Sequence, residues 1–333
     1  MSFPFRPAAP PAPRTIALLV LLMLLLLATA APAAPYAYIT NQGDHSVSVI
    51  DLATDRVKAT IPVARSPAGV VAVGRVGKVF VTAPDSNAVS VIDMRTQRVI
   101  DTLPAGQGAV GIDASADGRR VYVADWFGRH LLGFDTTTHQ ETLRVPLGRA
   151  PAGVAVAADG ATVYVAERDD NLVALVDVAS ATVRARVPVG EHPFALLFDA
   201  ARQRLYALNV YSDDLTAIDV RDAAAPRVAG RVKVGKAPYG AALAQGGRRL
   251  YVTNQRDDTV SVVDPDTLTL VQTLTGFGYP EGVASSGDHV LVVNWMDENV
   301  SVLDAATGQL LRRVNTGSNP RGFGAFVGAP VAP

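Results

Sequence analysis

The chain contains no cysteine, which excludes disulfides, thiolate metal sites, cysteine nucleophiles and lipid attachment through a cysteine. A strong charge of either sign is also missing, since 30 Lys and Arg stand against 31 Asp and Glu and leave a formal net charge of −1. This balance argues against a general polyanion binder, which shows a marked basic excess. Long amphipathic helices are absent after residue 35. The fold must therefore rely on packing of apolar strands, for which a 49% hydrophobic composition is ample.

A continuous apolar run occurs near the N-terminus at residues 16–28, with Arg6 and Arg14 before it and small residues after it. This pattern predicts a secretory signal over residues 1–30, cleaved near Ala30 or Ala31. The run is shorter than the roughly 20 residues that span a bilayer, so a retained membrane anchor is the alternative reading. Loss of the two arginines changes the net charge from −1 to −3. We expect a periplasmic or secreted protein with no membrane span after cleavage.

The most informative feature is a repeat. The stretch YITNQGDHSVSVID at 38–51 returns as YVTNQRDDTVSVVD at 251–264, and seven apolar runs in all end in an aspartate. Successive closing aspartates are 42, 42, 42, 42, 45 and 40 residues apart. These aspartates are Asp51, Asp93, Asp135, Asp177, Asp219, Asp264 and Asp304. Such regular spacing predicts one array of seven units.

Each unit contains four short Val-rich runs separated by Gly, Pro, Asn and Asp, which predicts four strands. The sequence therefore predicts an all-β, seven-bladed β-propeller over residues 36–327, after a short extension at 31–35 and before a tail at 328–333. The array opens at YAYIT, the second strand of a unit, and finishes at NPRGFGAFVG, the first strand of one. We expect the C-terminal strand to pair into the N-terminal blade and close the ring.

Residues 36–327 resemble the YVTN β-propeller repeat family. The tetrapeptide is strict at 251–254 and appears in altered form as YITN at 38, FVTA at 80, YVAD at 122, YVAE at 164, YALN at 206 and LVVN at 291. The resemblance implies an extracytoplasmic seven-bladed propeller. The family is known for its architecture and occurs in surface-layer, periplasmic and quinoprotein-associated settings, so the resemblance implies little about the ligand.

Three motifs that suggest chemistry have simpler explanations. GQGAVG at 106–111 matches a dinucleotide-binding template, but a strand follows it, as expected for a loop between blades. DASADG at 113–118 begins like a calcium loop, yet Ala124 stands where the bidentate Glu is needed, so a hairpin turn is predicted. The closing aspartates precede a hydroxyl residue by three positions in most units, which predicts turn-stabilising hydrogen bonds.

A site is expected where two sets of loops emerge around the central channel: the loops that lead into the inner strands and the loops that join the second and third strands. The first set contributes Ala68, Val110, Ala152, Phe194, Tyr239, Glu281 and Arg321 in blade order. The second set contains Trp126, Arg168, Tyr211, Arg256 and Trp295. Either tryptophan could cap a neighbouring blade or take part in recognition. The hypothesis is an asymmetric site formed by His192, Phe194, Tyr211, Tyr239, Arg256, Glu281, Trp295 and Arg321.

The leading prediction is a monomeric, non-enzymatic binding or scaffolding module for an extracytoplasmic protein or polar ligand, with no metal and no cofactor. An alternative is an enzyme or enzyme accessory, lactonase-like or associated with quinoprotein oxidation, in which Glu281, Arg321 and His192 supply acid, base and electrostatic roles. Binding of single-stranded nucleic acid would suit the aromatic and arginine residues but conflicts with the acidic charge of the mature chain.

Overall fold

The computed structural model describes residues 35–329, which form a ring of seven antiparallel sheets with four strands each. This confirms the predicted all-β, seven-bladed propeller. The predicted signal at 1–30 and the end of the predicted tail, 330–333, lie outside the described residues. Within residues 35–329, no helix has the length and apolar character needed to cross a membrane.

The strands are numbered in chain order and run from the channel to the rim in each blade, except that the inner strand of blade 1 is the last in sequence. Blade 1 contains β1 (Tyr36–Asn41), β2 (Ser46–Asp51) and β3 (Arg56–Pro62), and blade 2 contains β4 (Val70–Val73), β5 (Lys78–Ala83), β6 (Ala88–Asp93) and β7 (Arg98–Pro104). Blade 3 contains β8 (Ala109–Ala114), β9 (Arg120–Asp125), β10 (His130–Asp135) and β11 (Glu141–Pro146), and blade 4 contains β12 (Pro151–Val156), β13 (Thr162–Glu167), β14 (Leu172–Asp177) and β15 (Thr182–Pro188).

Blade 5 contains β16 (Pro193–Asp199), β17 (Arg204–Asn209), β18 (Asp214–Asp219) and β19 (Arg227–Lys233). Blade 6 contains β20 (Pro238–Ala244), β21 (Arg249–Asn254), β22 (Thr259–Asp264) and β23 (Thr269–Thr275). Blade 7 contains β24 (Pro280–Ser286), β25 (His289–Asn294), β26 (Asn299–Asp304) and β27 (Leu310–Asn315), and the ring ends with β28 (Val327–Gly328) in blade 1. Four short 3-10 turns lie at Gly74–Val76, Pro84–Ser86, Arg168–Asp170 and Gln255–Asp257.

Burial follows the position of a strand within its blade. The second and third strands are buried at four or more of their six positions, and β1 and β2 at five, because neighbouring blades cover both of their faces. The outer strands, such as β3, are exposed at most positions. Continuous apolar runs therefore form the middle of each blade, and mixed runs form its rim.

The ring has two faces, which differ in their connections. The loops named in the site hypothesis lie together on one face, here called the loop face: the Trp126 amide donates to the Gly108 carbonyl at 2.9 Å, and the Tyr211 amide donates to the Glu191 carbonyl at 3.1 Å. Short turns form the opposite face, here called the turn face. There the closing aspartates accept backbone N–H groups, as Asp93 does from Thr96 at 2.6 Å, which confirms their predicted role in the turns.

The GQGAVG segment leads directly into β8, and no helix follows it, which confirms that it is a loop between blades. The DASADG segment forms the turn between β8 and β9, where Gly118 has φ 74° and the Ser115 hydroxyl donates to Asp117 at 2.6 Å. Neither segment has the geometry of the ligand site that its sequence resembles.

The threonine of the YVTN tetrapeptide joins adjacent blades. The hydroxyl of Thr253 accepts the N–H of Gly240 at 2.9 Å and donates to the carbonyl of Glu281, in the next blade, at 2.6 Å. Tyr251 is fully buried two positions earlier. The same pair of hydrogen bonds is made by Thr40 and Thr82. The motif therefore satisfies backbone groups at the inner edge of the ring, where strand pairing cannot.

The asparagine of the tetrapeptide fixes the loop that follows. The side-chain amide of Asn254 donates to the hydroxyls of Thr259 and Ser261, each at 3.0 Å. Equivalent bonds to the third strand are made by Asn41, Asn209 and Asn294. The loops therefore emerge from a hydrogen-bonded base.

Glycines in the loops leading into the inner strands allow the blades to approach one another. A Cβ on Gly153 would overlap the backbone of the next blade at Phe194 and Leu196. A Cβ would likewise overlap a backbone carbonyl of the next blade at Gly69, Gly111, Gly240 and Gly282. Blade 5 is the exception, with Ala195 at the equivalent position.

The C-terminal segment closes the ring, as predicted. Its last residues pair with β1 in antiparallel register, with Gly328 opposite Tyr36. The same segment also bonds to blade 2, where the Val70 amide donates to the Phe323 carbonyl at 2.8 Å in a parallel bridge. Regular strand covers only β28, which is shorter than the sequence indicated, because Gly322 (φ 73°) and Gly324 (φ 121°) leave the extended conformation.

Candidate functional site

An aromatic cluster lies across the central channel at its loop-face end. Phe194 of blade 5 stacks on Tyr239 of blade 6 with ring centroids 4.5 Å apart. Phe323, from the closing segment of blade 1, reaches both, with centroid distances of 4.9 and 5.8 Å. Blade 1 is not a neighbour of blades 5 and 6, so these contacts cross the middle of the ring. We call Phe194, Tyr239 and Phe323 the aromatic plug.

A buried polar group adjoins the plug. The Arg321 guanidinium donates to the Tyr239 hydroxyl at 3.1 Å and lies 3.6 Å from the Glu281 carboxylate. The amide of Gln255 donates to the other Glu281 oxygen at 2.9 Å. Glu281 is only 1% exposed, and its Oε2 makes no hydrogen bond within the part of the chain that the structure describes. Arg321 and Glu281, two residues of the site hypothesis, are therefore neighbours, and Glu281 lies beneath the surface.

Burial sets the protonation of this group. Desolvation raises the pKa of the Glu281 carboxyl to about 7, although Arg321 and the Gln255 hydrogen bond act in the opposite direction. Burial also raises the pKa of the Tyr239 phenol, which therefore stays protonated at neutral pH. The group consequently contains one acid that titrates near neutrality.

A second cluster extends over the loops of blades 3 to 5. The Arg168 guanidinium lies between two rings, 5.5 Å from the centroid of Trp126 and 5.5 Å from that of Tyr211. His192 also packs against Tyr211, with centroids 4.1 Å apart. We call Trp126, Arg168, Tyr211 and His192 the aromatic ladder. Trp126 also contacts Phe194 at a centroid distance of 6.3 Å, which joins the ladder to the plug.

The sequence matches the YNCE-like beta-propeller family over residues 42–161 and 142–331, which together cover most of the chain. The chain belongs to this family. The predicted kinship with YVTN-type propellers is thereby confirmed. A comparison with curated proteins gave no match.

Solved structures share the fold of this YNCE-like propeller at low identity. Hydrazine synthase of Kuenenia stuttgartiensis has a TM-score of 0.72 and 20% identity, covering 84% of this chain and 99% of that one. A functionally unknown protein of Desulfotomaculum acetoxidans has a TM-score of 0.71 and 13% identity, covering 86% of this chain and 99% of that one. The dihydro-heme d1 dehydrogenase NirN, in complex with DHE, has a TM-score of 0.66 and 15% identity, covering 88% of this chain and 75% of that one. These likenesses establish the fold alone.

Two further residues of the site hypothesis, Trp295 and Arg256, lie apart from the plug. Trp295 packs against Tyr279 of its own blade 7, with centroids 5.6 Å apart. Arg256 lines a shallow depression of about 280 Å³ with Tyr211 and Lys236. The eight residues of the site hypothesis therefore fall into three groups. Phe194, Tyr239, Glu281 and Arg321 lie at the plug, and His192, Tyr211 and Arg256 lie at the ladder and the depression beside it. Trp295 lies apart from both.

Two aromatic residues were missed by sequence reasoning. Phe323 stands directly after the Pro-x-Gly step, where other blades carry Val70, Ile112 or Val154, so its size was the available signal. Phe127 follows Trp126 in a polar loop, lies against Gly108 and is 72% exposed. An exposed Phe beside Trp in such a loop was a detectable pattern.

Proposed function

We propose that this propeller is an exported, non-enzymatic binding module that recognises a partner protein through its loop face. The observation that carries the proposal is the aromatic ladder with Phe127 beside it. Phe127 is 72% exposed and Tyr211 is 51% exposed, so both display apolar surface on loops of a rigid ring. Trp, Tyr and Arg are the residue types that contribute most to protein interfaces.

Preorganisation supports the same conclusion. Arg168 is held by two rings and by an ion pair with Asp169 at 2.5 Å. Tyr211 contacts both Arg168 and His192. Side chains that are already ordered lose little conformational entropy on binding. The ladder is therefore suited to act as a central contact.

The depression beside Tyr211 supplies a polar border. It is lined by Glu191, Asp213, Lys236 and Arg256, so charges of both signs surround the exposed ring. An apolar centre with a polar rim is the usual arrangement of a protein interface. This observation favours a protein partner over a small polar ligand, because the depression beside Tyr211 is shallow.

The test is capture of a partner from extracytoplasmic extract by cross-linking, followed by affinity measurement. The double variant Phe127→Ala, Tyr211→Ala should weaken binding by about thirtyfold or more, because truncation of interface hot spots costs about 2 kcal/mol. The matched control is Ile100→Ala, Val271→Ala, which removes exposed apolar side chains from outer strands. Capture that is equal for all three forms, or absent for all three, would contradict the proposal.

An enzymatic or enzyme-accessory role is the second candidate. One observation favours it: Glu281, an acid with a pKa of about 7, faces Arg321 beside the channel. His192, the third residue of that hypothesis, contacts Tyr211 and Asp169 instead. Under this candidate, Glu281→Gln would abolish turnover of a polar substrate found by screening, whereas the Phe127, Tyr211 double variant would retain it.

Export is part of the proposal and rests on residues 1–30. The arginines before a short apolar run and the small residues after it support a cleaved signal. N-terminal sequencing of the protein recovered from the extracytoplasmic fraction should begin at Ala31 or within a residue of it. Recovery of the intact N-terminus in the membrane fraction would instead establish an anchor.

A further inference from the structure

The central channel contains a cavity of about 430 Å³ below the aromatic plug, within the range of small-molecule sites. Its walls are the inner strands, and they are mostly apolar. The apolar residues that line it include Val154, Leu196, Phe198, Leu243 and Val283. Since the plug lies across the loop-face end, the turn face provides the way in.

Asp113 is the one charged residue among those that line the cavity, and Ser285 is the one hydroxyl residue. One Asp113 oxygen accepts its neighbouring Ala114 N–H at 2.8 Å, and the other accepts the Val156 N–H of blade 4 at 2.9 Å. Within residues 35–329, no Lys, Arg or His forms an ion pair with Asp113. The carboxylate therefore faces an apolar space with only backbone partners.

Ring assembly does not require an acid at this position. Strand register places Asp113 opposite Tyr122, as it places Ala155 opposite Tyr164 in blade 4. The equivalent residues of the remaining blades are all apolar: Val71, Leu197, Ala242, Ala284 and Phe326. Six blades thus pack without a carboxylate, so the one in blade 3 calls for another explanation.

The charge of Asp113 is poorly compensated. Desolvation raises the pKa of this carboxyl to about 6, and the two backbone hydrogen bonds only partly oppose that effect. At neutral pH most of the carboxylate is ionised and borders apolar walls. A cation bound in the cavity would offset this unfavourable desolvation.

We propose that the central channel binds a small organic cation, a primary ammonium group on an apolar body, with Asp113 as its counter-charge. The apolar walls would hold the body, and Ser285 would offer a further hydroxyl oxygen within the cavity. Because each Asp113 oxygen already accepts one N–H, a compact ammonium fits better than a side-on guanidinium, which uses both oxygens together. A metal ion fits poorly, since no three metal-ligating side chains converge among the described residues.

The experiment compares benzylammonium with benzyl alcohol, a neutral probe of similar shape, by calorimetry on the full chain at pH 7.5. We expect the ammonium to bind at least tenfold more tightly. Asp113→Asn should remove this preference while leaving weak binding of both probes. Tyr211→Ala, which changes only the loop face, should leave the preference unchanged and serves as the control.

A second variant keeps the test valid if Asp113→Asn fails to fold. Ala241 lines the cavity, and Ala241→Met should block both probes by filling the space without changing any charge. Equal affinity of the two probes for the wild type would overturn the proposal. So would the absence of binding at millimolar concentrations, or ammonium binding that Ala241→Met leaves unaffected. None of these outcomes depends on whether the loop face binds a partner protein.

Discussion

Glu281 lies where the fold opposes ionisation, and its pKa of about 7 has a direct consequence for stability. An acid whose pKa is raised on folding stabilises the native state below its unfolded pKa, near 4.5. That contribution is lost as the pH rises through about 7. Asp113 acts in the same direction up to about pH 6, with a smaller effect because its side chain is only partly buried. The protein should therefore be less tolerant of mildly alkaline than of mildly acidic conditions.

The substitution Glu281→Gln should remove the larger part of this dependence. The variant should match the wild type in free energy of unfolding at pH 5 and exceed it at pH 8 by up to about 3 kcal/mol. Urea unfolding at both pH values measures the difference. Glu191→Gln, an exposed acid on the loop face, is the control. A constant difference between the Glu281 variant and the wild type across this range would show that the carboxyl is not strained by burial.

The threonine of the tetrapeptide also has a residue-scale effect. Thr253→Val preserves shape but removes the hydroxyl that bonds both Gly240 and Glu281. Two buried backbone groups then lose their partner, so unfolding should become easier by about 2–3 kcal/mol. Thr60→Val, in the exposed part of an outer strand, should change stability by less than about 0.5 kcal/mol. Equal denaturation midpoints of the two variants would refute this role.

At the scale of single elements, glycines allow the inner strands of adjacent blades to pack closely together. Gly153→Ala should lower the free energy of unfolding by about 3 kcal/mol or more, because its Cβ would overlap the backbone of blade 5. Gly246→Ala is the matched control, since it lies in an exposed turn with φ 62° and open space around it. There the left-handed conformation alone costs about 1 kcal/mol. Similar losses for both variants in thermal or urea unfolding would mean that the blades can separate without strain.

Strand and turn predictions succeeded because the signals that specify them are local. The closing aspartates, the Asp-Gly turns and the tetrapeptide each act within a few residues, so the repeat reveals them. The depth of Tyr239 and Glu281 could not be predicted in this way. Both occupy the same loop position as the small Ala68 and Ala152. Tyr239 packs against Phe323 and Glu281 lies beside Arg321, and both partners come from the closing segment in blade 1. Sequence spacing carries no information about the width of the channel.

At the scale of the whole molecule, stability and recognition involve different phenylalanines. Phe326 is fully buried between the closing segment and the core of blade 1, and Phe326→Ala should cost about 3–5 kcal/mol of unfolding free energy. Phe127→Ala, at 72% exposure, should cost less than about 0.5 kcal/mol and yet weaken partner binding. Thermal unfolding of the two variants checks the first statement, and capture of a partner checks the second. Comparable losses of melting temperature would contradict this division.

The ring closure has a consequence for biogenesis. Until the segment that contains Phe323 and β28 is made, the edge of β1 has no partner and the bridge to blade 2 does not exist. Blades 2 to 7 can form before β28 is made, but the ring of blades cannot close. A polypeptide that stops short of Gly328, through premature termination or proteolytic trimming, keeps an open strand edge able to recruit other chains. Synthesis of the chain through Gly328 is therefore required before the ring can close.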